Sequence, residues 1–201
     1  MAEETFAGRR ILALLLGLGV AALLPGATPS KDLNVRAKRI ARRETEKLGD
    51  GYSAHIDRRR HLIYVSALDR EHLAETRDLL GRFHDGYGRT MGSFDQKWNI
   101  TVVLPTAEDF GKLVKGSYGG MYYSNGRKLI SRTRGPVLLH EFTHALHHAD
   151  RGRQPHPLWV VEGLATLFET SRITPAGLEP RVDETVRSEE HTSELQSLLI
   201  I

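Results

Sequence analysis

Two neighbouring segments decide the fold: PVLLHEFTHALHH at residues 136–148 and LWVVEGLATLFE at residues 158–169. Both carry apolar residues at helical spacing, and Pro136 occupies a position tolerated in the first turn of a helix. We therefore predict two helices joined by a short, proline-containing connection. The first helix carries His140 and His144, and residues four apart lie one above the other on one helix face.

The two histidines predict a metal site, because imidazoles on one helix face can converge on one ion. Glu141 follows the first histidine directly and would flank the open coordination position, where it could act as a general base. Zinc lowers the pKa of a bound water to about 7, which suits a carboxylate base near neutral pH. The alternative is an ordinary helix whose histidines and glutamate are satisfied by hydrogen bonds.

Glu162 is the candidate third ligand. It lies among Val160, Val161 and Leu164, in what we expect to be the first turn of the second helix. An isolated buried carboxylate is costly, and metal coordination would offset that cost. We expect Gly163 to let the two helices approach closely. The alternative for Glu162 is a charge that favours the positive end of the helix dipole.

Asp150 is a rival third ligand, six residues after His144. This spacing resembles that of the metzincin metallopeptidases, in which a glycine three residues after the second histidine allows the chain to bend sharply towards the third ligand. His147 stands there instead. On the favoured interpretation, His147 and His148 are helix-end residues that interact with the dipole.

Composition narrows the function classes. The 201 residues contain no cysteine, which excludes disulfides, thiolate nucleophiles and cysteine zinc sites. A metal must then be held by histidine and carboxylates, as in catalytic zinc sites. The net charge is only +3, and no basic run is interleaved with aromatic residues, so we predict no nucleic-acid partner. The basic run at 36–43 is either a solvated helix face or a contact for an anionic membrane.

The middle of the chain predicts an α+β fold with a small mixed sheet, because strands and helices alternate before the two C-terminal helices. We expect helices at 34–48, from Asp69 to about Tyr87, and after Pro105. We expect strands at 52–56, 62–68, 98–104, 121–123 and 128–133. The strand at 128–133 is expected at an edge of the sheet, where it would bind substrate backbone in extended form.

Both ends of the chain are expected to lie outside the mature domain. Arg9 and Arg10 precede an apolar run at 11–24, which predicts a signal peptide or an uncleaved N-terminal anchor within 1–30. Either predicts an exported protein: periplasmic, extracellular, or attached to a membrane by its N-terminus. RSEEHTSELQS at 187–197 resembles a translated sequencing adapter, so 187–201 is expected to be non-native. The domain at 31–186 is then C-terminally truncated and incomplete.

The two helical segments together resemble the gluzincin metallopeptidases, whose pattern is HExxH, a spacer, and a glutamate ligand on the next helix. WVVEGLATLFE also resembles the Trp-x-x-Glu-Gly-x-Ala segment of zinc aminopeptidases and of bacterial peptidase-MA-like domains. The resemblance implies a zincin-like fold and a zinc-dependent endopeptidase that acts on peptide or protein substrates. It assigns Zn²⁺ to His140, His144 and Glu162, and the base to Glu141. Glu169 corresponds to a second acidic position, either a partner that orients a ligand or a solvent-facing residue.

The sequence departs from that family in two places. Zinc aminopeptidases carry a Gly-x-Met-Glu-Asn strand, and the nearest text here, GGMYY at 119–123, lacks the glutamate. Aminopeptidase activity is therefore not implied, and Tyr122 and Tyr123 either line the cleft or have a structural role. No residue after Glu162 is identified as a transition-state stabiliser. The alternatives for function are a non-enzymatic binding module on the same fold and a metal-dependent hydrolase with a non-peptide substrate.

Overall fold

The computed structural model describes residues 31–92, 94–151 and 156–181, and within them it is a mixed α+β structure with five helices. The helices are α1 (Lys31–Leu48), α2 (Arg70–Met91), α3 (Ala107–Leu113), α4 (Pro136–Arg151) and α5 (Leu158–Glu169). The strands are β1 (Ser53–Asp57), β2 (Leu62–Ser66), β3 (Ile100–Leu104), β4 (Gly120–Tyr123), β5 (Lys128–Ser131), β6 (Arg172–Ile173) and β7 (Leu178–Glu179).

A five-stranded mixed sheet of order β1-β2-β3-β5-β4 forms the centre. β2, β3 and β5 run parallel to one another, whereas β1 and β4 are antiparallel to their neighbours. β6 and β7 form a separate two-stranded antiparallel sheet. Helix α2 makes the connection between β2 and β3, as a parallel pair requires a long crossover.

The central strands bury both faces, which explains their nearly continuous apolar sequence. Successive side chains of a strand point to opposite faces. Leu62, Tyr64 and Val102 belong to the core shared with α2, α4 and α5. Ile63 and Val65 point the other way and pack beneath α1. The metal-site helices are thus built on one face of the sheet, and α1 covers the opposite face.

Local sequence signals explain the helix boundaries. The Asp69 side chain accepts a hydrogen bond from the backbone N–H of His72 and caps α2, and the Thr106 hydroxyl does the same for α3. Gly49 adopts φ +88° and ends α1. At the far end of α4, the Lys97 ammonium donates to the carbonyl of Asp150 at 2.6 Å. A cation at a helix C-terminus is favourable, so Lys97 helps to fix the end of α4.

An ion-pair cluster ties α2 to the turn between β1 and β2. The Arg60 guanidinium contacts Asp57 at 2.8 Å and Asp85 at 2.7 Å. The hydrogen bond from Arg60 holds the pKa of Asp85 at about 2, below its usual value. This cluster fixes the hairpin over α2.

The α+β class is confirmed, and the predicted elements follow in the expected order with boundaries within about three residues, except that α2 runs on to Met91. The short strands β6 and β7 were not predicted. One prediction about the sheet is wrong. The strand at 128–133 is not an edge strand, because β5 lies between β3 and β4, and β4 is the edge. In the β4–β5 hairpin, β5 pairs with β3, so β4 is left at this edge of the sheet.

The predictions for the signal segment at 1–30 and for the tail at 187–201 lie outside the described residues. Among the helices that are described, none combines the length and the apolar character needed to cross a membrane.

Candidate metal centre

Helix α4 presents its histidines to α5 because its opposite side is locked in the core. Leu138, Phe142 and Leu146 have no solvent exposure, and the Phe142 ring lies 5.9 Å from that of Phe83 on α2. These contacts set the rotation of α4 about its axis. His140 and His144, four residues apart, consequently face α5 together.

Helix α5 brings Glu162 to the same point. The Nε2 atoms of His140 and His144 are 3.1 Å apart, and each lies 3.5 Å from Oε2 of Glu162. Among the described residues, these three form the group whose ligand atoms could hold a metal ion. The structure therefore unites the three residues that the sequence predicted as ligands.

The spacing of the three donor atoms fits a tetrahedral ion. Metal bonds of about 2.0–2.1 Å at tetrahedral angles place ligand atoms about 3.3–3.4 Å apart. The observed separations of 3.1 and 3.5 Å bracket that value. Two nitrogens and one oxygen would occupy three positions and leave the fourth for a water or substrate atom, which is the arrangement of catalytic rather than structural sites. The residues present fit such an ion without a change of rotamer.

The site opens to solvent on one side. The side chain of His140 is 8% exposed and that of His144 is 13% exposed, whereas the Glu162 side chain is 35% exposed. Solvent thus reaches the cluster mainly at Glu162, while His140 is held within the protein.

Glu169 orients the most buried ligand. Its Oε2 atom lies 2.9 Å from Nδ1 of His140, and both side chains are less than 10% exposed. A hydrogen bond at Nδ1 fixes the ring and leaves Nε2 as the ligand atom. Of the two interpretations offered for Glu169, the structure excludes the solvent-facing residue, because Glu169 is buried against His140.

The electrostatics of the cluster follow from this arrangement. Burial of the His140 imidazole opposes its charged form, but the carboxylates of Glu162 and Glu169 outweigh burial and raise its pKa to about 9. The hydrogen bonds from His140 and then His144 lower the pKa of Glu162 far below its usual value. The two imidazoles thus favour the ionised form of the Glu162 carboxyl.

Glu141, the predicted base, lies where α4 meets the edge strand. A Cβ atom placed on Gly120 of β4 would stand 3.1 Å from Cγ of Glu141 and 3.1 Å from Cγ1 of Val137. Only a glycine lets the helix come this close to the strand. The strand was predicted at 121–123, which left Gly120 outside it, and the paired glycines at 119–120 were the signal for this close approach.

Two details predicted for α5 are wrong. Glu162 is the fifth residue of a helix that begins at Leu158, so it lies in the second turn, and a charge at the helix terminus does not explain it. Gly163 is exposed, and a Cβ there would meet no atom within 4 Å, so it has no part in the approach of the helices. The reason is rotational: with Glu162 turned inward, the next residue points outward.

Asp150 is placed elsewhere. Its Oδ1 atom accepts a hydrogen bond from the backbone N–H of Asp95 at 3.0 Å, and the metal-competent group contains Glu162 instead. His147 is buried beside His156, with ring centroids 4.9 Å apart. Neither Asp150 nor His147 is a member of the metal-competent group.

His148 continues the stripe of histidines on α4 and contacts the edge strand. The Tyr122 hydroxyl lies 2.8 Å from Nδ1 of His148, and the ring of Trp98 packs against the same imidazole at an interplanar angle of 60°, with centroids 4.9 Å apart. The Tyr123 hydroxyl donates to the carbonyl of Leu113 at 3.3 Å. Tyr122 thus fastens β4 to the ligand helix, and Tyr123 fastens it to α3.

Comparisons with protein-family models, curated proteins and solved structures gave no match. The interpretation of the site thus depends on the chemistry of its residues.

Proposed function

We propose that this protein is a zinc-dependent peptidase of gluzincin type, an endopeptidase for peptide or protein substrates. The observation that carries the proposal is the group of His140, His144 and Glu162, with an intact Glu141 beside it on α4. A structural metal site needs no neighbouring base, so the intact glutamate favours hydrolysis over a binding module. Zinc is the proposed ion because compact nitrogen and oxygen ligands at tetrahedral spacing suit it.

The bound ion would supply a Lewis acid that polarises a carbonyl and lowers the pKa of water. The protein supplies the rest. Glu141 accepts a proton from the attacking water and passes it to the leaving amine, which gains a full N–H bond as the peptide bond breaks. Its Cγ atom lies against Gly120 of β4, which limits the space open to the side chain. Glu169 fixes the ring of His140 through Nδ1, and His144 lies one turn further along the same helix.

Edge strand β4 is the proposed binding site for the substrate backbone. One side of Gly120–Tyr123 pairs with β5, which leaves the other side of the strand for an added strand. An extended peptide can add to such an edge through main-chain hydrogen bonds. This assigns to β4 the role that sequence analysis gave to the strand at 128–133. A substrate on β4 would lie along the strand that contacts Glu141.

The decisive experiment compares wild type with Glu141→Gln on an unfolded protein substrate, with and without a chelator. We expect one zinc per chain in both proteins by mass spectrometry, and a loss of hydrolysis of about 10²–10⁴-fold in the variant. Glu179→Gln, on the exposed strand β7, is the matched control and should keep full activity. Retained turnover in Glu141→Gln would remove the base assignment.

The same experiment separates the other functions. Zinc binding without hydrolysis of any protein or ester substrate would identify a binding module. Hydrolysis of esters but not of peptides would identify a different hydrolase. Glu162→Ala should lower the zinc content, because only two protein ligands would remain.

Export is part of the proposal, since Arg9 and Arg10 followed by the apolar run at 11–24 suit a signal segment. Cell fractionation of the full chain, compared with a chain that lacks 1–30, would test it. Equal cytoplasmic retention of both chains would contradict it.

A further inference from the structure

A second site candidate lies away from the metal-competent group, between α1, the start of β3 and the β4–β5 turn. It is an open pocket of about 90 Å³, enough for several water molecules or a phosphate-sized group. Its lining residues are Leu33, Arg36, Ile40, Arg43, Lys97, Trp98, Asn99, Thr101, Gly126 and Arg127.

The charged side chains that line this pocket are all positive. Four of its lining residues are cations and none is a carboxylate, so the lining carries a formal charge of +4. Lys97 uses one of its three N–H donors on the Asp150 carbonyl, and Arg43 shares Glu44 with Lys128. Donor groups remain on both side chains. Glu44 offsets part of the charge of Arg43, and cations from three elements that are distant in sequence still converge on one pocket, where a bound anion would reduce their mutual repulsion.

Arg127 is the most unusual member. It adopts φ +51°, a conformation in which glycine or asparagine is the ordinary residue. Its carbonyl accepts the N–H of Thr101 at 2.9 Å, which ties the turn to β3. Its guanidinium lies 4.2 Å from the ring centroid of Trp98, in stacking contact. Strained backbone of this kind concentrates at functional sites, and stacking limits the freedom of the side chain before a ligand binds.

We propose that this pocket binds a phosphate group. Guanidinium forks match the oxygens of phosphate with two parallel hydrogen bonds, and a lysine adds a point charge. The phosphate can come from a soluble phosphorylated compound or from the headgroup of an anionic phospholipid. The second source has a specific reason, because the apolar run at 11–24 ends shortly before α1 begins. The inference is independent of the proposed peptidase activity.

Trp98 provides a built-in reporter. The chain contains two tryptophans, and Trp159 is 77% exposed on α5. Trp159→Phe therefore leaves Trp98 as the single tryptophan, in the pocket wall. The full chain with this change is titrated with inorganic phosphate, with phosphatidylglycerol vesicles and with phosphatidylcholine vesicles, and Trp98 fluorescence is recorded.

Matched double variants on α1 distinguish a pocket from a diffuse surface charge. Arg36→Gln with Arg43→Gln removes two pocket cations, whereas Lys38→Gln with Arg39→Gln removes the same charge from exposed positions outside the pocket. We expect the affinity for phosphate to fall about tenfold or more in the Arg36→Gln, Arg43→Gln variant. In the Lys38→Gln, Arg39→Gln variant it should stay within about a factor of two of the wild-type affinity.

Arg127→Gly is a further variant that cannot fail through backbone strain, because glycine accepts the φ of this position. It should weaken phosphate binding by about tenfold as well. A saturable response to inorganic phosphate that follows this pattern supports the proposal. A response only to phosphatidylglycerol with the same pattern supports it with lipid as the source. Equal losses in the two double variants, or no response to either probe, would overturn it.

Discussion

Replacement of Glu169 by glutamine is the sharpest test of how the ligand set is held. The change keeps the size of the side chain and one hydrogen-bond acceptor, but removes the negative charge 2.9 Å from Nδ1 of His140. Nothing else at the ligand atoms changes. The experiment therefore isolates the contribution of the carboxylate that orients the imidazole.

The expected magnitude follows from the burial of the pair. A charge-assisted hydrogen bond is about twice as strong as a neutral one, roughly 1.5–3 against 0.5–1.5 kcal/mol. Both side chains are less than 10% exposed, so solvent screens little of this difference. A loss of about 1.4 kcal/mol or somewhat more in the free energy of zinc binding corresponds to a tenfold or greater weakening of zinc affinity. This lies within the 10–100-fold range typical of residues that hydrogen-bond to a metal-ligating histidine.

Competition with a chromogenic zinc chelator at fixed pH measures that affinity. Glu179→Gln, exposed on β7, should bind zinc as wild type does, and Glu162→Gln should lose more than Glu169→Gln because it alters a ligand. Thermal unfolding of the metal-free proteins shows whether each variant is folded. Wild-type zinc affinity in a folded Glu169→Gln protein would refute the idea that this contact orients His140.

Three further perturbations test packing and charge. Gly163→Ala should raise the free energy of unfolding by about 0.5–1 kcal/mol with unchanged zinc affinity, because the methyl group meets open space on a helix; destabilisation in urea would contradict this. Gly120→Ala should lower the free energy of unfolding by about 1–3 kcal/mol, because the new Cβ atom would lie 3.1 Å from Cγ of Glu141. In the control variant Gly126→Ala the new Cβ atom has contacts at 3.7 Å or more, so the free energy of unfolding should change by no more than about 0.5 kcal/mol. Asp85→Asn should lower the free energy of unfolding by about 1–2 kcal/mol at pH 7. Asp78→Asn should lower it much less, because Asp78 forms an exposed ion pair with Arg82 on α2. The pKa of Asp85 is about 2 in the folded protein and about 3.9 in the unfolded chain. The ionised carboxylate therefore stabilises the fold above about pH 4, and this stabilisation fades as the pH falls towards about 2. If Asp85→Asn destabilised the protein equally at about pH 7 and about pH 2, the charge of Asp85 would not be the cause.

Local signals in the sequence were strong where the chain organises itself over a few residues. Asp69 was predicted to start a helix, and the structure confirms that its side chain caps a nearby backbone N–H group at the start of α2. Thr106 plays the same part for α3, as the structure shows. The strand predicted at 98–104 is rich in β-branched residues and is observed as β3, which is buried in the middle of the sheet. The spacing of His140 and His144 is fixed by helix geometry alone.

Relations between elements were beyond those signals. The sheet order decides that β4 rather than β5 is the edge, and no pattern within either strand records which neighbour it pairs with. The rotation of α5 about its axis decides that Glu162 and Glu169 face α4 while Gly163 faces solvent. The basic pocket gathers residues from α1, β3 and the β4–β5 turn, which are far apart in sequence.

The sequence by itself determined that this chain carries two imidazoles on one helix face, with a carboxylate beside them and another on the following helix. Only the tertiary structure decided that the donor atoms meet at 3.1 and 3.5 Å, and that Glu169 supports His140 from behind. The physical reason is that helical periodicity acts within four residues, whereas the meeting of α4 and α5 depends on how their apolar sides pack against α2 and the sheet.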